Sequence, residues 1–306
     1  MGNGVNRQVC VEWPTGAKYV GQLKKNQMHG KGEYTWPDRK RYKGKWKNGK
    51  QFGIGELFWP DGQYFIGEWS DGKRNGKGKM IWADQREYDG EWKDDKMYGY
   101  GEAKWPEGLR YIGEWKEGKR NGHGEMIFSD GRRYAGEWKD NLMHGKGKLT
   151  FQNKETYIGE FKEGHMDGYG EYDYKGGPKY LGYWKNDIWH GEGIFINSVG
   201  VKYKGRWKEG LEDGPLICLN PKDGTPTNYT SNSRNQNEIT ISYFDMKKES
   251  GEYKTEKGKG EEIVIPLKLM ELEKELSDEE IALDFAQLAK TPKAIEEQVN
   301  DTLVFE

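Results

Sequence analysis

Aromatic, glycine and charged positions alternate along the first two thirds of the chain with one fixed period. The motif Tyr-x-Gly-x-Trp begins at Tyr19, Tyr42, Phe65, Tyr88, Tyr111, Tyr134, Tyr157, Tyr180 and Tyr203, each 23 residues after the last. Leu23 and Phe161 stand in for the tryptophan in two copies. A Gly-x-Gly pair follows each of the first eight motifs, from Gly30/Gly32 to Gly191/Gly193. In the ninth, Gly214 is followed by Pro215 and Leu216, so the second glycine is lost and the array ends. Trp13 lies one period before Trp36, which places half a repeat ahead of the first copy. Self-similarity at this period is the mark of a repeat architecture.

Residues at i, i+2 and i+4 of an extended chain share one face. The Tyr, Gly and Trp of each motif therefore belong to one face of a strand. The second half of each repeat also alternates, with Gly78, Met80 and Trp82 on one face and Lys79 and Ile81 on the other. Asn48-Gly49, Asp71-Gly72, Glu117-Gly118 and Glu163-Gly164 separate the two strands, while Asp61-Gly62 and Asp130-Gly131 separate repeats. Such residues tolerate the positive φ that tight turns demand. Each repeat thus reads as a β-hairpin. Together they predict an all-β repeat array: an elongated, twisted, single-layer antiparallel sheet of nine hairpins, roughly 85 Å long at ~4.8 Å per strand.

Glycine inside a strand ordinarily weakens a sheet. Here each strand glycine lies between two aromatics of its own face, and we expect its bare backbone to leave room for a ring from a neighbouring strand. Tryptophan marks the register. Trp46, Trp69, Trp92, Trp115, Trp138, Trp184 and Trp207 fall in one column. Trp13, Trp36, Trp59, Trp82 and Trp105 fall in a second, continued by Phe128, Phe151 and Tyr174; Trp189 stands outside both.

Composition alters this picture little. Mean hydropathy is −1.09 and 33% of residues are charged, which resembles a disordered chain, but 13 Trp and 19 Tyr do not. An aromatic face replacing a closed core explains how 33% hydrophobic residues suffice. No apolar run approaches ~18 residues, so no transmembrane helix is expected. The polar N-terminus predicts no secretory signal, and Asn6 stands where myristoylation wants Ser or Thr. Cys10 and Cys218 form no CxxC motif, so a reducing compartment such as the cytosol is expected. A net charge of −2 gives no reason to expect nucleic-acid binding. Charge is uneven along the chain, however. Residues 215–306 hold 11 Lys+Arg and 19 Asp+Glu, a net of −8; subtraction leaves 38 and 32, a net of +6, for residues 1–214. That difference predicts that the acidic tail, or an acidic partner, lies against the array.

The motif with its Gly-x-Gly pair resembles the MORN repeat (membrane occupation and recognition nexus). The segment Tyr134–Gly147, YAGEWKDNLMHGKG, matches the family pattern nearly residue for residue. The resemblance covers about residues 8–214, which form the expected array domain; 215–262 reads as a linker with a short strand and 263–306 as an amphipathic helical tail. MORN arrays occur in axonemal radial-spoke proteins, junctional membrane scaffolds, basal-complex scaffolds of parasites, some lipid kinases and a lysine methyltransferase family. No segment after residue 214 resembles a kinase or a methyltransferase domain. The resemblance therefore implies a non-catalytic structural scaffold without cofactor or metal. Its expected setting is cytoplasmic and cytoskeletal, in a ciliary or flagellar axoneme such as a radial spoke. Its expected partners are other proteins of a multi-subunit assembly. The alternatives are a membrane-contact scaffold meeting acidic phospholipids and a regulatory subunit of an enzyme.

Family members clamp helices or extended peptides along the sheet groove. On this chain the corresponding aromatic groove is Tyr42, Trp46, Trp69, Tyr88, Trp92, Tyr111, Trp115, Tyr134, Trp138, Tyr157, Phe161, Tyr180 and Trp184. Tyr and Trp offer large contact area at low entropy cost. The competing reading for any single ring is packing on glycine within the sheet. On the opposite face Glu68, Glu91, Glu114, Glu137 and Glu160 form an acidic column, and Lys47, Lys93, Lys116, Lys139, Lys162, Lys185 and Lys208 follow the aromatic column. The lysines could meet anionic lipid or acidic protein tails; plain solvated charge is the simpler reading. The five histidines lie in different repeats and do not have the spacing of a compact metal site. An exposed terminal strand at Tyr203–Lys208 would invite homodimerisation, unless Leu216–Leu219 covers it.

In the tail, residues 220–237 read as a linker, and Ile239–Phe244 and Ile263–Leu267 as short apolar runs. Ser277 with Glu280 makes a capping box ahead of an Ile281, Phe285, Leu288 stripe. Thr291-Pro292 opens a second candidate helix with Ile295, Val299 and Leu303 on one face. These stripes are expected to dock either on the end of the array or on a partner protein.

Overall fold

The computed structural model describes residues 8–220 and 224–230. Its regular structure is entirely β among those residues. Contacts divide the chain into two compact units, Met1–Ser129 and Asp130–Glu306.

The first unit contains β1 (Gln8–Glu12), β2 (Lys18–Lys24), β3 (Gln27–Thr35), β4 (Arg41–Lys47), β5 (Lys50–Phe58), β6 (Tyr64–Ser70), β7 (Lys73–Ile81), β8 (Glu87–Lys93), β9 (Lys96–Lys104), β10 (Arg110–Lys116) and β11 (Lys119–Ile127). Each pairs antiparallel with the strands beside it in sequence. The second unit repeats the plan with β12 (Arg133–Lys139), β13 (Leu142–Thr150), β14 (Thr156–Lys162), β15 (His165–Asp173), β16 (Lys179–Lys185), β17 (Ile188–Ile196) and β18 (Lys202–Lys208). The hairpin array read from the 23-residue period is the fold.

The turn within each repeat has two residues, both left-handed: Asn48 and Gly49 at φ 51° and 80°, Asp94 and Asp95 at 48° and 68°. That is the backbone of the twist-matched hairpin turn. Each turn is also tied to the repeat before it. Gly49 N–H donates to the Met28 carbonyl at 2.9 Å, and Gly118 N–H to the Met97 carbonyl at 2.9 Å.

A row of glycines crosses each unit. Gly90 faces Gly78 on one side and Gly101 on the other, and Gly159 faces Gly147 and Gly170. A Cβ on Gly90 would stand 2.5 Å from Gly101 Cα, and one on Gly101 would stand 2.4 Å from Tyr88 Oη. The ring filling the space thus comes from the strand of the first glycine and also covers the glycine of the next strand, so the expectation of a neighbour's ring holds for only one glycine of each pair. Register slips beside this row. Gly90 pairs with Gly101 but Glu91 pairs with Tyr98, which interposes Gly99 and Tyr100 as a bulge. Gly99 has φ +60°, where a side chain is strained and would meet Glu91.

The second unit ends differently. β18 pairs along Lys202–Lys204 with β20 (Ile217–Leu219), and β19 (Leu211–Glu212) pairs with Trp207 and Lys208. The end strand is therefore covered by the segment that offered the alternative to self-association. β20 in turn pairs with β21 (Pro226–Thr230), which lies inside the stretch read as a linker. Ile239–Phe244, Ile263–Leu267, the stripes Ile281, Phe285, Leu288 and Ile295, Val299, Leu303, and the proposed docking of the tail lie outside the described residues.

Candidate functional site

The repeat offers two faces, and their chemistry differs. On the aromatic face each Tyr or Phe sits edge-on between two tryptophans. In the first unit Tyr42 lies 5.0 Å from Trp46 and 5.2 Å from Trp69, both near perpendicular. Tyr88 repeats this with Trp92 and Trp115 at 5.3 Å each. In the second, Tyr157 lies 5.1 Å from Phe161 and 5.3 Å from Trp184. Edge-to-face pairs add about 0.5–1.5 kcal/mol beyond burial.

The polar atoms of these rings are spoken for by backbone. Tyr88 Oη donates to the Glu91 carbonyl at 3.0 Å and Tyr157 Oη to the Glu160 carbonyl at 2.9 Å. Trp92 Nε1 donates to the Gly78 carbonyl at 2.9 Å and Trp184 Nε1 to the Gly170 carbonyl at 3.2 Å. Burial pushes the phenols of Tyr42, Tyr88, Tyr111, Tyr157 and Tyr180 well above the usual tyrosine range.

All thirteen aromatics expected to line a groove are brought together in these interlocked rows, and all are core. Tyr42, Tyr88, Tyr111, Tyr134, Tyr157 and Tyr180 are fully buried, and Trp46, Trp69, Trp92, Trp115, Trp138, Phe161 and Trp184 are at most 5% exposed. Beside them lie partly accessible rings that sequence reasoning used only as register marks: half-buried Trp36, Trp59, Trp82 and Trp105, with Trp13 at 40% exposure. Lys40 stands over the Trp36 ring at 4.5 Å and Arg86 over Trp82 at 5.3 Å.

A third column on the aromatic face escaped the reading of tryptophan alone. Met28, Gln51, Arg74, Met97, Arg120, Met143, Met166 and Trp189 are 23 residues apart. Trp69 pairs with Arg74, Trp92 with Met97 and Trp184 with Trp189. The outlying Trp189 is therefore in phase. It stacks on Tyr180 at 4.3 Å and donates to Tyr174 Oη at 3.1 Å. Arg74 lies 4.3 Å from the Trp92 ring, with Nε donating to Asp95 at 3.1 Å. Burial lowers the Arg120 pKa.

The opposite face carries the charges. Its glutamates have a backbone task the sequence did not disclose: the Glu68, Glu91, Glu114 and Glu137 carboxylates accept the bulge N–H of Lys77, Tyr100, His123 and Lys146 at 3.0, 3.3, 2.7 and 2.8 Å. Every lysine of the column, Lys47, Lys93, Lys116, Lys139, Lys162, Lys185 and Lys208, is exposed. Along the turn edge of the first unit, Lys50, Lys73 and Lys96 reach Asp71, Asp94 and Glu117 of the following repeat. The histidines lie in strands, not turns; His165 Nδ1 is 2.6 Å from Asp187. Among the described residues no three His, Cys, Asp or Glu side chains form a metal-holding group, and no helix is long and apolar enough to cross a membrane.

Comparison with solved structures gives weak likenesses. The TCP domain of Drosophila melanogaster SAS-4, in complex with a proline-rich motif of Ana2, is 10% identical, with 68% of this chain and 95% of that one covered, at a TM-score of 0.31. The TCP10 domain of Danio rerio CPAP is 15% identical over 65% and 94%, at 0.27. A streptogramin B lyase is 11% identical over 73% and 76%, at 0.16. Likenesses this low carry no argument about function. Comparison with curated proteins gives no match. The MORN repeat family model, in contrast, matches nine times, at residues 19–41, 42–64, 65–85, 88–110, 111–132, 134–156, 157–178, 180–200 and 203–215. Its units tile the same hairpins that the glycine row and the ring columns define, and the chain belongs to the MORN repeat family.

Proposed function

We propose that this repeat scaffold is non-catalytic and holds a partner polypeptide, helical or extended, along its aromatic side. The setting we favour is a cytoskeletal assembly, with the ciliary axoneme first. One observation carries the reading. The buried Tyr–Trp rows fix Trp36, Trp59, Trp82 and Trp105 at intervals of one hairpin with part of each ring accessible. Two strands at ~4.8 Å set that interval near 10 Å. Regularly spaced rings on a fixed backbone give a partner contact area without ordering cost. The buried thirteen support this side from beneath, so replacing Trp92 or Trp115 tests the sheet, whereas Trp59→Ala with Trp82→Ala tests the partner surface.

The experiment is detergent fractionation of the tagged full chain in its own cell, followed by cross-linking. Retention with the detergent-resistant cytoskeleton, lost in the Trp59→Ala/Trp82→Ala variant while its circular dichroism stays unchanged, is the expected result. Release with membranes would overturn it. That outcome belongs to the second reading, a membrane-contact scaffold, which the exposure of the entire lysine column favours.

A further inference from the structure

The positive charge of the array is concentrated in one place. Residues 18–50 hold eleven Lys+Arg and two acids, Glu33 and Asp38, a net of +9; residues 51–129 hold 12 and 15, a net of −3. The strands in that window are β2, β3 and β4. On β4 every opposite-face position is an exposed cation: Arg41, Lys43, Lys45 and Lys47. Exposed Lys31 of β3 pairs in register with Lys45. Two of these side chains are braced on rings, Arg41 over Phe58 at 4.7 Å and Lys47 over Phe52 at 4.7 Å.

Lys45 also breaks the array's own hydrogen-bonding rule. Its column continues through Glu68, Glu91, Glu114 and Glu137, each of which accepts a bulge N–H, and begins with Gln22, which accepts that of Lys31 at 3.2 Å. A lysine has no acceptor. Its stem packs against the bulge glycine instead, Cδ lying 3.2 Å from where a Gly53 Cβ would be. Tyr183 and Arg206 are the column's other departures, toward the far end of the array. A local rule broken without a compensating contact is where a functional demand is to be sought.

We propose that the opposite face of β2–β4 binds an acidic polypeptide segment in extended conformation, with carboxylates at alternate residues along β4. Alternate residues of any strand are about 6.7 Å apart, so the cations of β4 and the acids of such a segment share one repeat length. The patch is short. β4 is 7 residues long, Glu33 and Glu56 flank Lys43 in register, and Glu68 follows on β6. A long polyanion such as nucleic acid would overrun it onto acidic surface, whereas a peptide of strand length fits within it. This inference rests on the protein-scaffold reading and adds the partner's chemistry. Fractionation tests that reading with cellular partners; the assay below uses synthetic peptide and fails or succeeds on its own.

The test is fluorescence anisotropy of a labelled twelve-residue peptide alternating Glu and Thr, with the full chain. The triple variant Lys43→Glu/Lys45→Glu/Lys47→Glu should weaken binding at least about tenfold, and Lys93→Glu/Lys116→Glu/Lys139→Glu, with the same change of charge, less than about twofold. A peptide of equal composition with its Glu in one block should bind at least about fivefold more weakly. Lys45→Glu alone should lose peptide affinity and gain thermal stability, because it restores the missing acceptor. A merely structural role for Lys45 would leave affinity unmoved. Equal losses from both triple variants, equal binding of the block peptide, or tighter binding of a twelve-nucleotide single strand would each overturn the proposal.

Discussion

The repeat that begins at Tyr157 and the one that begins at Tyr203 share a motif and differ in one neighbour. Tyr157 lies over Gly159 and Gly170, is fully buried and donates to a carbonyl. The position after Gly205 in the glycine row holds Leu216, whose Cδ2 comes within 2.3 Å of where a Gly205 Cβ would stand. Tyr203 is consequently only half-buried, and Trp207, though 1% exposed, leaves Nε1 without a hydrogen-bond partner. The aromatic ring is therefore not sufficient for its own burial. It needs two bare backbones in register, and a single leucine at the second of them ends the array.

The sharpest way to break this contrast is alanine in the row. In Gly170→Ala the new methyl meets the Tyr157 ring at 2.4 Å, with the sheet behind it, and we expect a loss of about 3 kcal/mol or more. In Gly205→Ala it meets a mobile leucine tip, and about 1 kcal/mol is expected. Urea denaturation with hydrogen exchange resolved by repeat measures both, and equal losses would refute the distinction. High pH comes next. The buried phenols are neutral in the fold and held above their ordinary value by desolvation. Their stabilisation is complete below the unfolded value of about 10 and is lost as pH rises from there toward the folded value. Tyrosinate absorbance should therefore rise together with loss of ring circular dichroism, and ionisation of all phenols with the sheet intact would contradict this.

Tyr157→Phe should cost about 1 kcal/mol, one hydrogen bond, with the ring kept. Phe65, packed over Gly67 and Gly78, already shows the packing without the hydroxyl. The smallest effect belongs to Asp94, whose carboxyl is lowered first by the hydrogen bond from Lys73 and then by its charge. Its contribution is present above the ordinary carboxylate range and lost as pH falls through the lowered value. Full exposure leaves Asp94→Asn indistinguishable from the parent at neutral pH and detectable only as a flatter acid limb in a pH series.

Hairpins, turns and the two tryptophan columns were legible in the sequence because side-chain alternation and turn chemistry are local. The glycine row was legible in outline, since bare positions flanked by aromatics imply a ring above them. What escaped was set by register across strands. The bulge at Gly99 shifts Glu91 beside the N–H of Tyr100, nine residues on, and no local pattern marks a carboxylate as backbone-bound. Trp189 was missed because only tryptophans were compared; its column is otherwise Met, Gln and Arg. Burial of the thirteen groove aromatics likewise follows from packing between successive repeats, which no single motif contains.

The bonds that tie one repeat to the next have a direction. Trp92 donates to Gly78, made fourteen residues earlier, and Gly118 donates to Met97, twenty-one earlier. Trp184 and Gly164 do the same in the second unit, toward Gly170 and Met143. As the chain leaves the ribosome, every new hairpin finds its acceptors already in place and waits for nothing still to be synthesised. Assembly by short-range steps is fast and exposes little unpaired edge. The array is thus built to grow like a zipper closing from its N-terminal end, with Leu216 as the stop.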